Sequence, residues 1–230
     1  MGQIQRFDLT RIIGEYNTRY FFETGTFLGD GVGYAAESPF NKIISVEIIP
    51  EIADKAKLRF KDSDKIEIIE GNSFMALENE LPKIKGNCLF WLDAHFPGAD
   101  AGITAYDADG NEDIRLPLAK ELAIIKRLHS GYKDVLIIDD LRIYEDGPYA
   151  KGNVPADALP KIDRNIDFIY KHFGNTHLIL KSFLDEGYVL LFPKMKYYIN
   201  RFRLQNLFKG TPFKEDYYLT KNLFSNNLNI

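Results

Sequence analysis

Residues Arg19–Gly33, RYFFETGTFLGDGVG, decide the fold of this 230-residue chain. Tyr20–Phe22 is an apolar run typical of a buried parallel strand, and Glu23 and Thr24 end it. A predicted helix over Gly31–Glu37 follows after a glycine-rich loop. The glycines of this stretch are Gly25, Gly29, Gly31 and Gly33. Because glycine permits sharp turns and a close approach to a ligand, the stretch predicts the ligand-binding half of a nucleotide-type α/β unit. The alternative is a glycine-rich loop that binds no ligand.

Strands and helices alternate along most of the chain. The predicted parallel strands are Tyr20–Glu23, Lys42–Glu47, Lys65–Glu70, Asn87–Asp93 and Asp134–Asp140, and a hairpin of His177–Phe183 and Tyr188–Phe192 follows them. The other predicted helices are Asp8–Tyr16, Pro50–Phe60, Phe74–Glu80, Leu116–His129 and Asp157–Phe173. This order predicts an α/β fold, a three-layer Rossmann-like sheet of seven strands, mostly parallel, with a C-terminal antiparallel hairpin.

Composition limits the domain count and the class of partner. With 45% hydrophobic residues, the chain has enough apolar side chains to form the core of one domain, which we expect over residues 1–193. We expect the tail, residues 194–230, to pack on that domain or to form a homo-oligomer interface. A net charge of −4 argues against nucleic acid, and no apolar run approaches the roughly 20 residues of a membrane span. We therefore expect a cytoplasmic protein, and its single cysteine, Cys88, excludes an internal disulfide.

Acidic and polar side chains end every predicted parallel strand, and ligands of such sheets bind at the carboxyl ends of the strands. Glu47 ends the second strand, 24 residues after Glu23. An acid at about this offset accepts hydrogen bonds from ribose hydroxyls. The alternative for Glu47 is a solvated acid at a strand end.

Three aspartates, Asp93, Asp139 and Asp140, follow two strands that we expect to be neighbours. Carboxylates held together repel each other unless a cation is present, and Mg²⁺ prefers oxygen ligands. The sequence thus predicts a divalent metal site. Alternatively, Asp93 meets the amine of a cofactor or a helix end, and Asp140 caps the next segment.

Two motifs resemble known methyltransferases. Glu23–Gly29, ETGTFLG, resembles motif I, E/D-x-G-x-x-x-G, of the class I S-adenosylmethionine (SAM) methyltransferases. LDAH at 92–95 with IDD at 138–140 resembles the metal site of the Mg²⁺-dependent sugar O-methyltransferases of macrolide and aminocoumarin biosynthesis. The resemblance spans about Tyr20–Phe192.

This resemblance implies a SAM cofactor and a set of contacts to it. The motif I residues Glu23, Gly25, Thr26 and Gly29 are expected at the methionine end and Glu47 at the ribose. Asn72 or Ser73 is expected beside the adenine, unless these residues only cap the helix at Phe74. Asp93 is expected near both cofactor and metal.

The same resemblance implies that Asp93, Asp139 and Asp140 ligate Mg²⁺ or Mn²⁺, with Asp93 and His95 as catalytic residues. His95 stands where the family has an acid that has been assigned as the general base, and histidine can accept the proton. It could instead ligate the metal, contact the substrate or simply pack. We expect the loop Phe96–Arg115 to close over the acceptor.

The implied function is SAM-dependent O-methylation of a hydroxyl on a sugar, sugar nucleotide or glycan; a small polyol or phosphorylated acceptor fits equally well. Two other classes stay open. A nicotinamide-dependent oxidoreductase or epimerase is disfavoured by the glycine spacing. A non-catalytic SAM-fold protein that binds a partner is disfavoured because all three aspartates are retained.

Overall fold

A computed structural model describes residues 3–99, 101–106, 110–155, 163–194 and 217–219. Its centre is one eight-stranded sheet with the order β3-β2-β1-β4-β5-β7-β6-β8. The strands are β1 (Thr18–Thr24), β2 (Lys42–Glu47), β3 (Ile66–Glu70), β4 (Asn87–Leu92), β5 (Val135–Ile138), β6 (His177–Ser182), β7 (Tyr188–Pro193) and β8 (Tyr217–Leu219).

The pairing of the strands confirms the predicted fold class. Strands β3, β2, β1, β4 and β5 pair in parallel, whereas β7 pairs antiparallel with both β5 and β6. β8 comes from the predicted tail and pairs antiparallel with β6, which adds an eighth strand to the seven expected.

Helices cover both faces of the sheet and make it the middle of three layers. They are α1 (Leu9–Tyr16), α2 (Asp30–Ala36), α3 (Pro50–Arg59), α4 (Ser73–Glu80), α5 (Glu112–Arg115), α6 (Leu118–His129) and α7 (Asp167–Phe173). Phe22 and Phe90 face a core cluster that includes α4 and α6, whereas Phe21 and Leu89 face another that includes α1 and α2. Burial on both faces explains the continuously apolar strands. Among the described helices, none has the length and apolar character needed to cross a bilayer.

Two segments differ from the sequence prediction. Residues 163–166 of the predicted helix Asp157–Phe173 are not helical, because the Asn165 side chain accepts the Asp167 N–H at 3.0 Å and α7 begins there. Residues 157–162 of that helix lie outside the described residues. Within the segment Phe96–Arg115, for which no helix is predicted, Asn111 caps the short helix α5. Of the tail expected to pack on the domain or to form an interface, residues 195–216 and 220–230 also lie outside the described residues.

Gly25 brings the carboxyl ends of β1 and β4 together. Its φ is +87°, and a Cβ at this position would lie 2.7 Å from the Asp93 carbonyl oxygen. Both the positive φ and the backbone contact exclude a side chain. The loop after β1 and the loop after β4 therefore share one wall.

We predict that Gly25→Ala lowers the free energy of unfolding by at least about 1–2 kcal/mol, the cost of a left-handed L-residue. Gly14→Ala is the control, because Gly14 lies inside α1 with no atom within 4 Å of an added Cβ. Helix propensity should make that variant about 0.5–1 kcal/mol more stable. Urea denaturation of both variants measures the difference, and equal stabilities would contradict the close β1–β4 contact.

Candidate functional site

A pocket opens at the carboxyl edge of the parallel strands, where the predicted site residues were expected. It is lined by Gly25, Phe27, Val46, Glu47, Ile48, Ile52, Gly71, Asn72, Ser73, Asp93, Ala94, His95, Phe96, Pro97, Gly98, Ala101, Ile114 and Pro117. Six of these, Gly25, Glu47, Asn72, Ser73, Asp93 and His95, are sequence-predicted site residues. The others, Glu23, Thr26, Gly29, Asp139 and Asp140, lie outside this lining.

The glycine-rich loop bends sharply over the end of β2. The N–H groups of Gly25 and Thr26 both donate to the Val46 carbonyl, at 2.9 and 3.1 Å. Phe27 and Gly29 have φ of +47° and +78°, and the Gly29 N–H donates to the Thr26 carbonyl. Gly29 is also the N-cap of α2. The positive φ angles of Gly25 and Gly29 explain why glycine stands at these two positions, and Gly25 and Phe27 line the pocket.

Glu23 supports this loop from beneath. The Ser45 hydroxyl donates to Glu23 Oε2 at 2.5 Å and lies 2.6 Å from the Thr26 hydroxyl. Burial raises the pKa of Glu23 to about 8, with Ser45 opposing the shift and Glu47 adding to it. A Cβ on Gly31 would lie 2.0 Å from Glu23 Oε1, so the carboxyl fills the space next to α2. Glu23 and Thr26 thus hold the loop in shape.

Glu47 is fixed in the wall of the pocket. Its Oε2 accepts the Phe27 N–H at 2.8 Å, and its Oε1 accepts the Ile49 N–H at 3.0 Å. Only 7% of the residue is exposed, so the solvated strand-end acid considered from the sequence is not what the structure contains. Each carboxylate oxygen can still accept a second hydrogen bond from a ligand.

Asn72 acts as a helix cap and also lines the pocket. Its side-chain oxygen accepts the Phe74 N–H at 3.0 Å at the start of α4. Ser73 is the first residue of that helix and faces the same pocket. The cap is therefore present, and a ligand contact by either residue stays a prediction.

His95 lies between two aspartates from neighbouring strands. Its Nε2 is 3.0 Å from Asp140 Oδ2, and its Nδ1 is 3.5 Å from Asp93 Oδ1. Arg142 Nε donates to the other Asp140 oxygen at 3.0 Å. Burial raises the pKa of Asp140, but His95 and Arg142 outweigh it and hold that pKa below its ordinary value. Burial and the nearby Asp140 raise the pKa of Asp93 well above its ordinary value.

Asp139 is the buried member of the acidic group. It is 3% exposed, and its polar neighbours include the Asp93 carboxyl and the Asp140 backbone N–H, although no well-aligned hydrogen bond from a described residue reaches either carboxylate oxygen. Burial, then Asp93 and Asp140, raise the pKa of Asp139 well above its ordinary value. A carboxyl in these surroundings either retains a proton, which it can share with Asp93, or meets a cation.

The donor set fits a divalent cation. One ligand atom each from Asp93, His95 and Asp140 lie within 4.8 Å of one another. Asp139 is not part of that group, so His95 stands in the structure where the sequence predicts Asp139. Carboxylate oxygens suit Mg²⁺ and Mn²⁺, and the Asp139 carboxyl is close enough to those of Asp93 and Asp140 for the three to affect one another electrostatically.

Glu121, in the first turn of α6, is a site-region residue that the sequence reasoning missed. It is 1% exposed, and its Oε1 has no partner among the described residues. Burial raises the pKa of Glu121 to about 7, while the Ser73 and Thr24 hydroxyls and the His95 imidazole oppose the shift. Its position in the sequence could have indicated this residue, because Glu121 falls on the same helical face as Leu118, Leu122 and Ile125, where an acid is unexpected.

Comparison with solved structures identifies the fold. A protein from Staphylococcus aureus described as a caffeoyl-CoA O-methyltransferase shares 15% identity over 84% of this chain and 85% of its own, with a TM-score of 0.58. An O-methyltransferase from Bacillus cereus, solved with S-adenosylhomocysteine (SAH), shares 13% over 84% and 82%, with a TM-score of 0.54. A Clostridium thermocellum protein described as an rRNA methylase shares 7% over 81% and 95%, with a TM-score of 0.53.

The chain has the fold of these methyltransferases. No protein-family model matches the sequence, and a search of curated proteins gave no match. Identities this low establish the fold of the chain, whereas the cofactor, the acceptor and the need for a metal must be argued from the site.

We predict that protein stability falls as the pH rises from about 5 to 8, in part through Glu23 and Glu121. Their pKa values of about 8 and 7 exceed that of an unfolded glutamate, so the folded state binds more protons across this window. Each group contributes at most about 1.4 kcal/mol per pH unit.

Glu121→Gln and Glu23→Gln should therefore flatten the pH dependence of the free energy of unfolding, measured by urea denaturation at pH 5 and pH 8. Glu51→Gln, at an exposed position of α3, is the control. An unchanged slope in both buried variants would contradict the raised pKa values.

Proposed function

We propose that this protein is a SAM-dependent O-methyltransferase that acts on a hydroxyl beside a divalent cation. One observation carries the proposal: a single pocket is lined both by Gly25, Glu47 and Ser73, which suit an adenosyl cofactor, and by Asp93 and His95, which suit hydroxyl activation.

Different parts of the pocket wall are expected to contact different parts of SAM. The backbone of Gly25 and Phe27 faces the methionine end, where the absence of a Cβ at Gly25 permits close approach. Glu47, already oriented by two backbone N–H groups, accepts hydrogen bonds from the ribose hydroxyls. Ile48 and Ile52 offer apolar surface for the adenine, with Asn72 and Ser73 at its polar edge.

His95 is the proton acceptor of the proposed reaction. It would take the proton of the acceptor hydroxyl, and bound SAM would supply the methyl group to that oxygen, with SAH as the leaving product. The carboxylate of Asp140, 3.0 Å from His95 Nε2, stabilises the resulting imidazolium. Orientation of the two reactants in one pocket supplies much of the rate.

Asp93 and Asp140, whose ligand atoms converge with one of His95, would hold a Mg²⁺ or Mn²⁺ ion, with Asp139 as the third ligand that the sequence resemblance implies. When bound, the ion supplies Lewis acidity that lowers the pKa of the acceptor hydroxyl. His95 is either the base, as proposed, or a further ligand, and the variants below separate the two roles.

The acceptor class proposed from the sequence resemblance is a sugar, sugar nucleotide or glycan, or another small polyol. The protein would act in the cytoplasm, with neither nucleic acid nor membrane as a partner, and a homo-oligomer built through residues 194–230 stays a prediction. An oxidoreductase is disfavoured because the glycine-rich loop lacks the G-x-G-x-x-G spacing that accommodates a pyrophosphate.

The cofactor prediction is that SAH binds the purified protein and that NAD(H) does not, as measured by isothermal titration calorimetry. Glu47→Gln should weaken SAH binding by about 1.5–3 kcal/mol, the range for a hydrogen bond to a charged group. The control is Glu70→Gln at the end of β3, where the acid is exposed and pairs with Lys57. Equal SAH affinity in wild type and Glu47→Gln would remove Glu47 from the site.

The metal prediction is that Mn²⁺ binds in the presence of SAH, as followed by electron paramagnetic resonance. Asp139→Asn should lose Mn²⁺ binding while keeping SAH affinity, because the aspartates are assigned to the metal and the acceptor. His95→Ala should keep Mn²⁺ and lose turnover by about 10²–10⁴. Loss of Mn²⁺ in His95→Ala would make His95 a ligand, and a wild type that binds no Mn²⁺ would contradict the metal proposal.

A further inference from the structure

Arg115 is a buried arginine at the end of α5, next to the pocket wall formed by Ile114 and Pro117. Only 8% of it is exposed, although arginines are seldom buried without partners. Its guanidinium makes two hydrogen bonds in different directions: Nη1 donates to Glu112 Oε2 at 2.5 Å, and Nη2 donates to the Tyr106 carbonyl at 2.6 Å.

The same guanidinium lies over the ring of Phe96, 5.2 Å from its centroid. The Phe96 N–H donates to the Arg115 carbonyl at 2.9 Å, so both the backbone and the side chain of Arg115 hold Phe96. Phe96 has a φ of +42°, a left-handed conformation that is unfavourable for a bulky residue and persists only where neighbours enforce it.

Phe96 in turn contacts His95. The two rings meet edge to face, with centroids 5.6 Å apart and planes at 87°. Tyr106 packs on the Phe96 ring in a similar way at 5.6 Å and 74°. A continuous set of contacts therefore runs from Glu112 and Tyr106 through Arg115 and Phe96 to the imidazole that lies between Asp93 and Asp140.

We propose that Arg115 is a positioning residue for His95: by holding Phe96 in place, it fixes the direction in which the imidazole faces the pocket. The role of His95 as base rests on the proposed function, whereas the positioning itself does not. Phe96, which Arg115 contacts through both its backbone and its side chain, also lines the pocket together with His95.

The geometry requires arginine rather than another cation. A guanidinium is planar, so it can stack on the Phe96 ring while its edge donates to a carboxylate and to a carbonyl. A lysine ammonium keeps the charge but cannot form this combination of contacts. Arg115→Lys therefore removes the positioning and preserves the charge.

The test is the nitrogen spectrum of the histidine rings in protein labelled with ¹⁵N-histidine, recorded without cofactor. The chain has four histidines, and His129, His172 and His177 serve as internal references. In Arg115→Lys, the His95 ring signals should shift or split into several forms, and the other three should stay as in wild type. Arg127→Lys, which alters an exposed pair with Glu78, is the matched control and should leave all four unchanged.

Phe96→Leu provides a second variant that keeps apolar bulk and removes the ring edge against His95; it should change the same His95 signals. Once a methyl acceptor has been identified, Arg115→Lys and Phe96→Leu should each lower kcat by about tenfold to a hundredfold, while the dissociation constant for SAH stays that of wild type. Unchanged His95 signals in either folded variant, or equal changes at all four histidines, would overturn the proposal. A wild type that fails to bind SAH would instead contradict the proposed function.

Discussion

The site depends on one backbone contact, between Gly25 at the end of β1 and the carbonyl of Asp93 at the end of β4. A Cβ on Gly25 would lie 2.7 Å from that oxygen, so only glycine lets the two loops meet. Because of this contact, the turn over Val46 and the Asp93–His95 segment line the same pocket. Cofactor binding and proton removal can then occur side by side, which is the geometric requirement for a transfer between two bound reactants.

Electrostatics sets a second constraint on the same edge. Asp93, Asp139 and Asp140 lie together in a largely buried region, where His95 and Arg142 are the positive or potentially positive partners that the structure gives to Asp140. No well-aligned hydrogen bond from a described residue reaches the Asp139 carboxyl, whose polar neighbours include Asp93 and the Asp140 N–H. Such a group is stable only with protons retained or with a cation bound, so proton and cation binding at this edge should be coupled.

The strands, most of the helices and the edge that carries the site could be predicted from the sequence, because apolar runs buried on both faces and strand-end acids are local signals. The direction of individual side chains could not. Glu23 is buried with its carboxyl against Ser45 and Gly31, and it is not among the residues that line the pocket. Glu121 was hidden in the amphipathic pattern of α6, and Arg115 lay in a loop without periodicity. Their roles arise from contacts between segments distant in sequence or from irregular loop geometry, which no local pattern encodes.

The central claim is that one pocket holds the adenosyl cofactor and the hydroxyl-activating group. Its most direct test is a crystal structure of the protein with SAH and Mn²⁺, with anomalous diffraction recorded to locate the metal. The account predicts SAH along Gly25 and Phe27 with its ribose at Glu47, and an anomalous peak beside Asp93 and Asp140, next to the SAH sulfur. Cofactor density elsewhere in the molecule, or a metal peak remote from the sulfur, would contradict it.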